Sequence, residues 1–273
     1  MEITFNKIYV IESLPDNEPK TGTNLHNDII RRKLWKHNNI QSDIVIINSK
    51  AEFFDFFESV KNEMTQNQII PYFHFEIHGN PNGFNLKSSE QVNWTELHHR
   101  LIELNLLVKN RIWLSLATCF GAYIYYIIRP WDRCPFYGFI GPWDTINIID
   151  LQASYEKYFD TLFDNFDLKA AVEQLNLDNP RKPVDYKLYT SKEVFDRVYN
   201  NYDKNFEDKQ KFESRVQEIV DEAVRQNNSP LSMDYFKVTA EKLLTETRDK
   251  YKMHYRGRFF MTDLFPENEE RFR

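Results

Sequence analysis

Short apolar runs alternate with longer segments of helical periodicity through the first half of the chain, and this alternation constrains the fold most. The runs are rich in β-branched and aromatic residues, as strands are. They read KIYVI from residue 7, DIVII from residue 43, IIPYFHFEIH from residue 69, RIWLSLAT from residue 111 and FYGFIG from residue 136. Parallel strands need long crossover connections, which are usually helices. The alternation therefore predicts an α/β fold with a mostly parallel sheet flanked by helices.

The segments between these runs repeat apolar residues at the spacing of an α-helix. Polar residues that commonly cap helices stand where three of these segments begin, namely Thr23, Ser49 and Asn93. The predicted helices cover residues 24–36, a segment from residue 50, residues 94–107, residues 121–128 and a long amphipathic stretch over 151–177.

The last third of the chain differs from the rest in its charge pattern. Pro180 and Pro183 end the long amphipathic stretch, and VDYKLYT, from residue 184, is a candidate edge strand. Charged helices are expected over residues 206–225 and 233–255, followed by an irregular tail. We therefore predict a catalytic-sized domain over residues 1–180 and a mainly helical C-terminal extension over residues 181–273.

Composition narrows the classes of partner. The 41 acidic residues outnumber the 35 basic ones, so the formal charge of -6 favours no phosphate backbone, and nucleic acid is not an expected partner. No apolar stretch is long enough for a membrane span, and no signal-peptide pattern opens the chain. Cys119 and Cys134 are too few for a disulfide framework and lack the spacing of a zinc site. We expect a soluble, cytoplasmic protein without a membrane partner.

His78 and Cys119 each stand where a predicted strand ends. Because the carboxyl ends of parallel strands meet at one edge of a sheet, these two side chains are expected to lie side by side. An imidazole can take the proton of a neighbouring thiol, and the resulting thiolate is a nucleophile. The backbone amides of Gly79 and Cys119 could then form an oxyanion hole. The pattern predicts a cysteine-histidine catalytic dyad that needs no metal and no cofactor.

Two segments around these residues resemble a known family. FHFEIHGNPNGFNL is similar to the His-Gly segment of the caspase-like clan CD cysteine peptidases, and RIWLSLATCFGAY is similar to their strand followed by Cys-x-Gly. The block FIGPWDTINIIDLQASYEKYFDTLFDNFDLKAAVEQLN resembles the downstream block of the CHAT branch. The resemblance covers roughly residues 1–180. It implies a caspase-like fold and a cysteine endopeptidase, with a role in regulated cell death or microbial (antiviral) defence as a fold-level analogy.

The resemblance also implies a substrate preference. Peptidases of this clan commonly hold the substrate residue before the cleaved bond, P1, in a pocket of opposite charge. Asp144 follows the fifth predicted strand and Glu12 ends the first, so both are candidates for an acidic S1 pocket. We therefore expect cleavage of a protein or peptide substrate after a basic residue.

Other interpretations of these residues stay open at this stage. Cys119 could be a small buried apolar side chain in a non-catalytic scaffold that acts through protein–protein interaction. His74, Glu76 and His78 alternate on one strand face and could instead ligate a metal. Asp144 could equally cap the helix that follows it. The charged C-terminal helices are expected to bind a regulatory protein partner or gate the site, because they fall outside the resemblance.

Overall fold

A mostly parallel sheet forms the centre of the chain, as the alternation predicts. The computed structural model describes residues 4–37, 39–177, 186–226 and 232–273. The strands are β1 (Lys7–Ser13), β2 (Gln41–Ile46), β3 (Pro71–Asn80), β4 (Gly83–Asn85), β5 (Gln91–Asn93), β6 (Trp113–Ala117), β7 (Gly138–Pro142) and β8 (Tyr186–Thr190). The sheet order is β2-β1-β3-β6-β7-β8, and β4 and β5 extend from the end of β3. In this order, the neighbouring strands β2, β1, β3, β6 and β7 pair in parallel, whereas β8 is antiparallel to β7.

The helices follow the predicted segments, but two of these segments are divided: residues 24–36 by a π-helical turn and residues 151–177 by a break at residues 166–167. In the part of the chain before β8 they are α1 (Thr21–Leu25), α2 (Arg31–Leu34), α3 (Lys50–Asn67), α4 (Trp94–Leu107), α5 (Ile148–Asn165) and α6 (Leu168–Leu177). A π-helical turn, His26–Ile30, joins α1 to α2, and a 3-10 helix, Gly121–Ile127, follows β6. The break that Pro180 and Pro183 predict lies outside the described residues, as does the predicted domain boundary near residue 180.

Helix starts test the predicted caps directly. The Ser49 hydroxyl accepts a hydrogen bond from the Glu52 amide, and Asn93 forms a reciprocal capping box with Glu96. The prediction that Thr23 caps its helix is wrong, because α1 begins two residues earlier. The Glu12 carboxylate accepts hydrogen bonds from the Thr23 amide at 2.9 Å and the Thr23 hydroxyl at 3.1 Å. A side chain from β1 thus satisfies the first turn of α1.

Aromatic packing on the two faces of the sheet buries its central strands. On one face, Phe53 and Phe57 of α3 lie against Phe73 and Phe75 of β3. On the other face, α5 covers the alternate residues of β3, and the ring of His74 contacts Tyr155 and Phe159. Because His74, Glu76 and His78 alternate along β3, they lie on this second face.

The chain divides into two compact units, the first made of residues 1–129 and 134–191 and the second of residues 130–133 and 192–273. The second unit contains most of α7 (Ser191–Glu207) and all of α8 (Lys209–Gln226), α9 (Met233–Phe259) and α10 (Asn268–Arg271). The expected irregular tail is partly helical, because Phe259, Phe260 and Phe272 are buried in an aromatic cluster. Among the described residues, no helix combines the length and apolar character required to cross a bilayer.

The capping box at Asn93 gives a test of local stability. Asn93→Ala removes the side chain that accepts from the Glu96 amide at 2.9 Å, and we expect it to lower the free energy of unfolding by about 1 kcal/mol. Asn93→Asp is the matched control, because a carboxylate accepts the same hydrogen bond. Urea denaturation followed by tryptophan fluorescence measures both variants. Equal midpoints for Ala and Asp would contradict this assignment.

Candidate active site

Strands β3 and β6 bring the two predicted catalytic residues to one edge of the sheet. Glu76 pairs with Ala117 in the parallel register of these strands. His78 lies two residues beyond that pair within β3, and Cys119 lies two residues beyond it in the turn that follows β6. Both residues line one small cavity with a volume of about 50 Å³. The cavity also contacts side chains from the end of β1, from α1 and from the start of α5.

Gly79 allows these strand ends to approach each other. A Cβ atom on Gly79 would lie 2.2 Å from the Thr118 hydroxyl oxygen and 2.4 Å from the Cys119 carbonyl oxygen. Neither distance is possible between non-bonded atoms, so no residue with a Cβ atom fits without movement of the backbone. The glycine predicted to serve the oxyanion hole therefore also has a steric reason to be at this position.

Several backbone amides lie close to Cys119 and to the turn that follows it. The Cys119 side chain is partly exposed, and the Ile146 amide points at its Sγ atom from 3.4 Å. The next two amides are engaged, since Phe120 donates to the Asp144 carbonyl and Gly121 to the Thr118 carbonyl. Among the described residues, the Cys119 amide has no backbone acceptor. This amide is therefore available to donate to an oxyanion.

Phe120 adopts a left-handed conformation directly after the cysteine. Its φ is 58° and its ψ is 22°, a conformation that costs energy for a residue with a Cβ atom. Such strain is common where a chain must turn sharply at a functional site. Here the turn separates β6 from the 3-10 helix that follows it.

His78 has a partner that the sequence did not indicate. Its Nε2 atom lies 2.7 Å from a carboxylate oxygen of Glu18, which belongs to the loop between β1 and α1. The His78 side chain is 46% exposed and that of Glu18 is 31% exposed, so the pair is accessible to solvent. Glu18 carries no sequence signal of this role, because loop residues follow no period and the contact spans 60 positions.

One of two neighbouring buried acidic residues lines the cavity. Glu76 lines the cavity and is 1% exposed. One of its oxygens lies 2.9 Å from His74 Nε2, and the other accepts from the Thr21 hydroxyl at 2.8 Å. Glu12 is its register partner on β1 and is equally buried, with its oxygens bonded to Thr23. Glu76 therefore contacts the cavity, whereas Glu12 is not among the residues that line it.

The second S1 candidate, Asp144, lies on the far side of Cys119. Its carboxylate accepts from its neighbour Thr145, at 2.7 Å from the amide and 3.3 Å from the hydroxyl. Its carbonyl accepts the Phe120 amide, which connects the loop after β7 to the turn after Cys119. Asp144 is exposed and does not line the cavity that contains His78 and Cys119.

The structure does not assemble the alternative metal site. Within the described ranges, no three His, Cys, Asp or Glu side chains form a group that could hold a metal ion. His74 instead bonds Ser115 through Nδ1 and Glu76 through Nε2, while His78 bonds Glu18. The other cysteine, Cys134, is buried and donates to the Phe136 carbonyl, and burial raises its pKa to about 12.

Comparison with known proteins identifies the fold. No family model matches the chain, and no curated protein matches it in sequence. The solved structures it resembles include the Drosophila initiator caspase Dronc, with a TM-score of 0.50 and 13% sequence identity. That match covers 68% of this chain and 80% of the caspase chain. The protein therefore has a caspase-like fold, a fold in which a cysteine peptidase site is possible.

A methyl group at position 79 tests the close approach of β3 and β6. Gly79→Ala forces Thr118 or Cys119 to move, and we expect a loss of about 1–3 kcal/mol in the free energy of unfolding. Gly257→Ala, within α9, is the matched control, because its Cβ atom would meet only an ordinary contact at 3.6 Å. Thermal unfolding by calorimetry measures both variants. Tolerance of alanine at position 79 would contradict the described packing.

Proposed function

We propose that this protein is a cysteine endopeptidase in which Cys119 is the nucleophile and His78 is the general acid and base. The observation that carries the proposal is the placement of both side chains on one cavity at the ends of neighbouring parallel strands. Active sites of open α/β sheets lie at this edge, where the strand order reverses. Here the order reverses between β1 and β3, and the cavity extends from Leu14, next to β1, across the end of β3 to Cys119, after β6.

The reaction would proceed through a covalent thioester. His78 accepts the Cys119 thiol proton, and the thiolate attacks the carbonyl carbon of the substrate peptide bond. The negative charge that develops on the carbonyl oxygen is stabilised by the amides of Cys119 and Gly79. The imidazolium then protonates the leaving amine, and the amine departs. Water, deprotonated by His78, hydrolyses the thioester and regenerates the thiol.

A carboxyl group in the cavity lining supports cleavage after a basic residue. Glu76 contacts the cavity, whereas its register partner Glu12 is buried with its oxygens bonded to Thr23, so Glu76 is the carboxyl group beside the position of a P1 side chain. The Tyr186 hydroxyl, buried without a hydrogen-bond partner among the described residues, is a further polar group within electrostatic range of Glu76 and Cys119. Asp144 could add to the negative charge from the other side. A lysine or arginine side chain matches this environment.

The features beyond the site extend the proposal. We place the chain nearest the CHAT branch, on the His-Gly, Cys-x-Gly and downstream segments of its sequence, and as a cytoplasmic protease under the control of a partner. Exposed apolar side chains on α9, among them Val238 and Leu243, support a protein-binding role for the C-terminal unit. A control of this kind predicts that cleavage depends on a signal or on a second protein.

Loss of the nucleophile tests the proposed function. Wild type is compared with Cys119→Ala on a mixed peptide library, with and without proteins encoded beside this one, and we expect cleavage to fall to background in the variant. Cys134→Ala is the matched control, because Cys134 is buried and its raised pKa of about 12 keeps the thiol protonated. Absence of cleavage by every protein, with Cys119 inert to a thiol alkylator, would favour a non-catalytic caspase-like scaffold instead.

Charge removal at the S1 candidates tests the P1 preference. Asp144→Asn keeps an oxygen that can accept from Thr145 but removes the negative charge, so any loss of preference for lysine and arginine reports electrostatics rather than capping. We expect Glu76→Gln to reduce that preference about tenfold and Asp144→Asn to reduce it less, because Glu76 lines the cavity. Selection of aspartate at P1 by the wild type would overturn the acidic-pocket proposal.

A further inference from the structure

We propose that Glu18 is the positioning residue of His78, so that the catalytic group is a Cys119, His78 and Glu18 triad rather than a dyad. This inference rests on the proposed function. The observation that supports it is the 2.7 Å contact between a Glu18 carboxylate oxygen and the Nε2 atom of His78. Residues 60 positions apart form this contact, so it is a product of the fold and not of local sequence.

Hydrogen bonds within the loop stabilise the conformation of the segment that carries Glu18. The Lys20 ammonium donates to the carbonyls of Leu14 at 2.7 Å and Pro15 at 2.6 Å, which closes the loop onto itself. The Glu18 amide also donates to the Pro15 carbonyl. These bonds fix the backbone on either side of Glu18, so its carboxylate is presented to the imidazole at little further entropic cost.

An ion pair and a hydrogen bond connect the same loop to Lys87 in the first unit. The Lys87 ammonium lies 2.6 Å from Asp16, and the Lys87 amide donates to the Ser13 hydroxyl. The Lys87 ammonium lowers the pKa of Asp16, which keeps that carboxylate charged and paired. The loop is therefore anchored at both its start and its middle.

The contact determines which ring nitrogen can act as the base. A carboxylate only accepts hydrogen bonds when it is ionised, so Nε2 must carry the hydrogen that is donated to Glu18. The lone pair of the neutral imidazole then lies on Nδ1, which makes no hydrogen bond within the described part of the chain. Nδ1 is thus the atom that accepts the Cys119 proton. The positive charge that forms on the ring is stabilised by the carboxylate beside it.

Substitutions at position 18 separate the charge from the hydrogen bond. Glu18→Gln keeps an oxygen acceptor but removes the charge, and Glu18→Leu removes both. We expect kcat to fall about tenfold in Glu18→Gln and further in Glu18→Leu, with KM little changed, because the charge acts when the imidazolium forms. Glu103→Gln, at an exposed carboxylate of α4 that pairs with Lys61 and is not part of the Glu18 loop, is the matched control and should leave kcat unchanged.

A spectroscopic measurement reads the contact without any substrate. Long-range 1H–15N correlation spectra of full-length protein, with His78 assigned by its loss in His78→Gln, should show the Nε2–H tautomer in wild type and in Glu18→Gln, and a mixture of tautomers in Glu18→Leu. An Nδ1–H tautomer in wild type, an unchanged kcat in Glu18→Leu, or a higher kcat in that variant would each overturn the triad. The last result would identify Glu18 as a restraint on His78.

The two proposals fail in different ways. If the wild type cleaves no peptide, the peptidase proposal fails, while the tautomer of His78 in wild type and Glu18→Leu still decides whether Glu18 positions the ring. If the wild type cleaves and all position 18 variants match it, the peptidase proposal stands and the role of Glu18 is refuted.

Discussion

The parallel pairing of β3 with β6 brings His78 and Cys119 to the same edge of the sheet. Glu76 pairs with Ala117 in this register, and the two chains continue for the same number of residues to His78 and Cys119. A shift of the register by one residue would move one of these side chains to the opposite face of the sheet. Aromatic side chains from α3 on one face and α5 on the other fix the strands in this register, and Gly79 lets their ends come into contact.

Buried carboxyl groups are the second constraint on the site. Burial of an acidic group is costly unless its oxygens are hydrogen-bonded. Glu12 and Glu76 meet this condition through Thr23, Thr21 and His74. Glu12 and Glu76 therefore join α1 to β1 and β3, and Glu76 also lines the cavity. Helix α1 and the proposed S1 pocket depend on each other for their stability.

Much of this arrangement is visible in the sequence, because strands and amphipathic helices have clear periods. The fold class, the helix starts at Ser49 and Asn93 and the positions of His78 and Cys119 near the carboxyl ends of β3 and β6 follow from local patterns. Contacts between residues that are far apart in the sequence do not follow from such patterns. Glu18 lies in an aperiodic loop, and the partnership of Glu12 with Thr23 depends on tertiary packing. The burial of Phe259 and Phe260 cannot be predicted from local sequence, because the charged residues around them interrupt any apolar periodicity.

The proposed chemistry depends on activation of the Cys119 thiol by His78, and the alkylation rate of that thiol measures this activation. Full-length wild type and His78→Gln are treated with iodoacetamide, and modification of each cysteine is followed by mass spectrometry, with buried Cys134 as the internal reference. We expect rapid modification of Cys119 in wild type and a rate at least about tenfold lower in His78→Gln. Equal rates in the two proteins would contradict it, because Cys119 would then react without help from the imidazole.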